Sequence, residues 1–111
     1  MSVVELANAY FDAIRSRDGS RLRELFAADA ILISGGMTQV GSEAIANWYE
    51  TQAFLVEPEP MLGPFIVDGD RLAVEIDLHT NLGKMAVCDV IEANAGKIER
   101  LVIYGVPRLG D

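Results

Sequence analysis

Asp89 is the residue with the most chemistry to offer, because of what flanks it. It lies in the run Lys84-Met85-Ala86-Val87-Cys88-Asp89-Val90-Ile91-Glu92, which reads as a strand. Alternate side chains of a strand share a face, so Met85, Val87, Asp89 and Ile91 point the same way. If that face is interior, Asp89 is a carboxyl group in apolar surroundings, partly protonated near neutral pH and able to give or take a proton. If the face is open, Asp89 is a solvated strand residue; buried aspartate is rare. Tyr10 poses a related question. It falls in the apolar stripe of a helix, where a buried hydroxyl needs a partner. Trp48 and Tyr49 are neighbours on a second helix and point about 100° apart, so one can face a pocket while the other packs elsewhere.

Other reactive side chains are few. Cys88 and His79 are too few for a zinc site built from cysteine and histidine, and a single cysteine forms no internal disulfide. A carboxylate-based metal site stays open, but no motif suggests one, so no metal and no cofactor are expected. His79 shares its face with Glu75 and Asp77, opposite an apolar row, and reads as a surface histidine.

Three elements must position these groups. Ser2 and Glu5 form a capping box, and Val3, Ala7, Tyr10 and Ile14 then repeat at helical spacing up to Asp18-Gly19. A short second helix runs from Ser20 to about Ala27. Ala30 to Ser34 is a short strand closed by Gly35-Gly36, with Met37 to Val40 returning beside it. Gly41-Ser42 caps a third helix, Glu43 to about Phe54, carrying Ile45, Trp48 and Tyr49. Pro58, Pro60 and Pro64 allow only an irregular or edge strand around Met61 to Val67. Beyond Asp68-Gly69-Asp70 the alternation is clean. Leu72, Val74, Ile76 and Leu78 share one face of the strand Arg71 to Thr80. Asn81-Leu82-Gly83 and Asn94-Ala95-Gly96 mark the turns on either side of the Asp89 strand, making an antiparallel meander that ends at Ile98 to Gly105. Helices first and strands after them indicate α+β, with helices packed on one face of a curved sheet. Cys88, Ala86 and Val90, with Leu101 and Ile103, would form a second apolar patch on the outer face, the expected contact of a homodimer.

At 111 residues, half of them apolar, the whole chain, 1–111, is expected to be a single domain with a core of its own. A net charge of −8 without a basic cluster argues against nucleic acid or an anionic membrane as partner. No apolar run approaches the ~20 residues of a membrane span, and Met1-Ser2-Val3-Val4-Glu5 lacks the basic start of a signal peptide. A cytoplasmic location is expected.

The strings Tyr10-Phe11-Asp12-Ala13-Ile14, Leu25-Phe26-Ala27-Ala28-Asp29-Ala30 and Gly41-Ser42-Glu43-Ala44-Ile45, with Gly96-Lys97-Ile98-Glu99-Arg100-Leu101 and Tyr104, resemble the nuclear-transport-factor-2-like superfamily over nearly the whole chain. That superfamily includes ketosteroid isomerases, SnoaL-like polyketide cyclases and limonene epoxide hydrolases. The resemblance implies a cone-shaped, curved mixed or antiparallel sheet wrapped around the N-terminal helices, with an internal pocket for a small apolar ligand. Laid on the ketosteroid isomerase pattern, Tyr10 falls at the oxyanion-hole tyrosine, Asp89 at the protonated aspartic acid and Tyr49 at the tyrosine supporting the first. A carboxylic acid kept neutral by an apolar site is a general lesson drawn from that enzyme family itself.

The same pattern sends Val74, Ile76, Val87, Arg100, Val102 and Tyr104 toward the pocket, with Ser34 and Trp48 beside them. Ser34 stands where the isomerases have their general base, and a hydroxyl has no carboxylate's basicity. Arg100 close to Asp89 would favour the ionised form. In polyketide cyclase relatives a pocket carboxylate acts as both acid and base, which an ionised Asp89 could also do. The expectation is therefore an isomerase- or cyclase-type enzyme working by proton transfer on a small, mostly apolar carbonyl compound. Asp89, Tyr10 and Tyr49 would carry the chemistry, and Ser34 with Arg100 would fix the substrate. The alternative is a binding or interaction domain that kept the pocket and lost the base.

Overall fold

The structure, a computed structural model, describes residues 1–106. The first helix, α1 (Val3–Ser16), begins at the expected capping box: Ser2 Oγ accepts from the Glu5 N–H at 3.2 Å and the Glu5 carboxylate accepts from the Ser2 N–H at 3.0 Å. It ends at Arg17, in the left-handed conformation at φ 57°, whose guanidinium donates to the carbonyls of Ile14 at 2.7 Å and Pro58 at 2.8 Å. One side chain thus closes the helix and anchors the proline-rich loop against it. Helix α2 (Gly19–Leu25) is held to α3 (Ser42–Thr51) by Arg23, which donates to Glu43 at 2.9 Å and Glu50 at 2.6 Å. Gly19 lets the two helices meet, since a Cβ there would collide with the Glu50 side chain. A 3₁₀ turn, Ala53–Val56, follows α3, so the helix stops short of the expected Phe54.

Seven strands form one sheet: β1 (Phe26–Ser34), β2 (Met37–Val40), β3 (Glu59–Leu62), β4 (Ile66–Asp68), β5 (Arg71–Thr80), β6 (Gly83–Asn94) and β7 (Lys97–Gly105). The order is β2-β1-β7-β6-β5-β3, with β4 also pairing β5. The β5-β6-β7 meander is antiparallel as expected, and β1 lies parallel to β7. The expected cone is not what forms. The sheet is an open α+β layer whose path ends at β2 on one side and at β3 on the other, with no pairing that closes it. The edges explain this. Both end strands have only four residues, and Pro60 in β3 has no N–H to offer a further neighbour.

The helices cover one face of this sheet, burying Leu6, Phe11, Leu22 and Ile45 against Leu32, Leu72, Ile91 and Leu101. The other face departs from the expected alternation at one point. Glu92 pairs with Arg100, but the next residue, Ala93, pairs with Ile98, so Glu99 is an extra residue in β7. A bulge of this kind shifts the strand's phase by one. Ile98 and Leu101 are consequently both fully buried on the helix-covered side. From Arg100 onward the faces are the reverse of those expected: Leu101, Ile103 and Gly105 face inward, and Arg100, Val102 and Tyr104 face outward. Arg100 pairs there with Glu92 at 3.4 Å. The expected outer patch is corrected in the same way, because Leu101 and Ile103 leave it and Val102 and Tyr104 join Cys88 and Val90.

Leu101→Ala is expected to lower unfolding free energy by about 2–5 kcal/mol and Arg100→Ala by less than about 1 kcal/mol, measured by urea denaturation. The reverse ranking would restore the simple alternation.

Candidate active site

A cavity of about 530 Å³ lies between α1, α3, the 3₁₀ turn and the covered face of the sheet. Each expected chemical group reaches it from a different element. Tyr10 comes from the apolar stripe of α1, Tyr49 from α3 and Asp89 from the middle of β6, and all three are buried. The Tyr10 and Tyr49 hydroxyls hydrogen-bond each other in a short contact. Two neutral phenols joined this way use one O–H between them, which leaves the other free to donate elsewhere. Burial, more than any neighbouring charge, raises both phenols well above their ordinary range, so both stay protonated. A charge on Asp89, which lines the same cavity, raises both further.

Asp89 is 3% exposed, and its Oδ1 is buried with no hydrogen-bond partner among the described residues. Burial lifts its pKa from 3.8 to about 7. Among the described residues lining the cavity no cation opposes that shift: Arg100, expected on the pocket face, lies on the outer face paired to Glu92. Ser34, Trp48, Ile76 and Val87 line the cavity as expected. Val74 is directly opposite Asp89 on β5 and is fully buried behind the lining. Arg100, Val102 and Tyr104 do not reach the cavity, and the bulge at Glu99 is the reason. In their place Ile103 and Gly105 line it, together with Phe11, Pro58 and Pro60. Phe11 was legible as part of the helical stripe. The two prolines were not, because nothing local says which side of a loop they cover.

Among the described residues lining the cavity, Asp89 is the only carboxylic acid, and no lysine, arginine or histidine accompanies it. Among the described residues there is also no group of three or more acidic, histidine or cysteine side chains that could hold a metal ion. What the arrangement can do is donate hydrogen bonds to an oxygen, from a free phenol and a protonated carboxyl, and exchange one proton near neutral pH.

The SnoaL-like domain model matches residues 7–101, a span that contains every element of the cavity from α1 into β7. The chain belongs to the SnoaL-like domain family. It is accordingly a member of the nuclear-transport-factor-2-like, or cystatin-like, superfamily. Solved structures agree on the fold. A candidate polyketide cyclase from Sinorhizobium meliloti is 27% identical, with a TM-score of 0.83 over 89% of this chain and 93% of that one. A candidate ketosteroid isomerase from Kribbella flavida is 16% identical, with a TM-score of 0.87 over 98% and 81% of the two chains. An epoxide hydrolase of M. tuberculosis, described as LEH-like, is 18% identical, with a TM-score of 0.81 over 94% and 82%. No curated protein matches this SnoaL-like chain by sequence. No helix among its described residues is long and apolar enough to cross a membrane.

A carboxyl whose pKa is higher folded than unfolded binds its proton more tightly in the native state, so it removes stability as pH rises. The loss begins above 3.8, is complete near 7, and amounts to about 4 kcal/mol. Asp89→Asn is expected to melt close to the parent protein at pH 4 and at a higher temperature at pH 8. A variant that melts lower at pH 8 would show that the native carboxylate is stabilised by a partner.

Proposed function

We propose that this pocket takes up a small, mostly apolar carbonyl compound and moves a proton on it, in an isomerase- or cyclase-type reaction. The observation that carries this reading is Asp89: a buried carboxyl, lifted to about 7, with an unpartnered oxygen in an apolar cavity. Leaving such a group unsatisfied costs stability, and a ligand oxygen would satisfy it. The ionised carboxylate would take a proton from the carbon next to the carbonyl. The electron pair would move onto the carbonyl oxygen, where the free phenol O–H of the Tyr10–Tyr49 pair stabilises the enolate. Protonated Asp89 would then return the proton to another carbon, so the carboxyl ends as it began. A pKa near the working pH suits a group that must act in both directions.

By the resemblance, Ser34 stands where the isomerases have their base, and it lines the cavity. Asp89 would therefore do alone what two carboxyl groups share in that pattern. The same serine favours the second reading, a binding domain that holds such a compound without turning it over. The likeness to the Sinorhizobium cyclase candidate supports the first. In either case 2-naphthol, a phenolic mimic of the enolate, is expected to bind and to lose at least tenfold in affinity in Asp89→Ala and in Tyr10→Phe, measured by calorimetry. Unchanged affinity in both variants would remove the site. Turnover, where found, is expected to follow an apparent pKa near 7 in kcat/KM.

We also infer that the outer face of the sheet receives a second copy of the chain. Ile31, Val40 and Tyr104 are exposed there around a buried Val102, and no helix covers them. Sedimentation equilibrium is expected to show a dimer that Tyr104→Asp dissociates. A parent protein that stays monomeric at every concentration would reject it.

A further inference from the structure

The cavity floor sets two polar groups in one line. Ser34 of β1 is the register partner of Ile103 of β7, and Ile103 is the register partner of Asp89 of β6. All three side chains face the cavity. Ser34 and Asp89 are therefore two strand spacings apart, about 10 Å between backbones, with one isoleucine between them. Ser34 is half-buried, and no hydrogen bond from its hydroxyl is found among the described residues. The floor next to this line is bare. Gly105 pairs with Val87 in the adjoining row, and a Cβ on Gly105 or on Gly35 would touch nothing within 4 Å.

We propose that the substrate class is a six-membered ring bearing oxygens on alternate carbons, one held by Asp89 and the Tyr10–Tyr49 pair and the other by Ser34. The proposal rests on the site reading above and adds the second anchor. Allowing about 2.8 Å for a hydrogen bond at each end of a 10 Å line leaves roughly 4–5 Å between the ligand oxygens. That separation suits oxygens on alternate carbons of one ring lying flat over Ile103. A steroid-like or purely hydrocarbon body beyond the carbonyl would instead leave the serine hydroxyl facing apolar atoms. A hydroxyl in such a pocket discriminates for a ligand that can pair with it, because the analogue lacking the oxygen strands it. Gly35 and Gly105 give the ring room to enter edge-on and settle across the row. The serine is thus a specificity residue in place of a base.

The test compares 1-naphthol with 3-methoxy-1-naphthol by calorimetry on the full chain, on Ser34→Ala and on Asp89→Ala. The parent protein is expected to prefer the doubly oxygenated ring about five- to tenfold. Ser34→Ala is expected to erase that preference, and Ser34→Thr to keep it. A preference that is absent in the parent, or unchanged in Ser34→Ala, overturns the second anchor. If 1-naphthol fails to bind, or binds Asp89→Ala as well as the parent, the site reading itself fails, and this inference with it.

Discussion

A carboxyl group removed from water without a partner is the constraint around which this molecule is arranged. Every described element that touches the cavity contributes apolar surface, and none contributes a cation. Asp89 could be made comfortable by a single arginine, and the fold places Arg100 on the other side of the sheet. The residual cost of burial is carried by the rest of the core, where Leu6, Leu22, Ile45, Leu72, Ile91 and Leu101 are sealed from solvent. The two tyrosines add a further restriction. Joined to each other, they remain neutral and cannot serve as a counter-charge, so the site's electrostatics rest on the carboxyl's own proton.

Much of this was legible in the sequence, for identifiable reasons. Helix α1 was legible because its cap, its stripe and its terminator agree. The β5-β6-β7 meander was legible because two glycine-containing turns separate three alternating runs. The burial of Asp89 followed only once Tyr10 and Tyr49 were set in the same cavity by a family resemblance; the strand by itself favoured a solvated face, since buried aspartate is rare. The parallel pairing of β1 with β7 joins residues nearly seventy positions apart in the chain, and no local pattern encodes it.

What misled was one residue. Ile98, Arg100, Val102 and Tyr104 alternate without interruption, and a strict period of two sends all four the same way. Glu99 breaks the period inside a polar stretch, where an extra residue leaves no trace in the hydrophobic pattern. The consequence was larger than a local irregularity, since it decided whether a guanidinium would lie beside the carboxyl. The openness of the sheet was hidden differently. Two four-residue edges, one of them carrying proline, stop pairing before the sheet can close, and closure depends on geometry summed over all seven strands.

The pairing of β1 with β7 has a bearing on how the protein comes into being. The helices, β1 and β2 are made first, yet the strand that completes the floor beside Ser34 follows every other described element in the chain. Until β7 arrives, Ser34 and the row through Ile103 to Asp89 do not exist as a surface, and the inner edge of β1 stays open. Closing so distant a contact is slow compared with forming local helices and hairpins. The pocket is therefore a late product of folding, and a chain stopped before Lys97 would lack its floor.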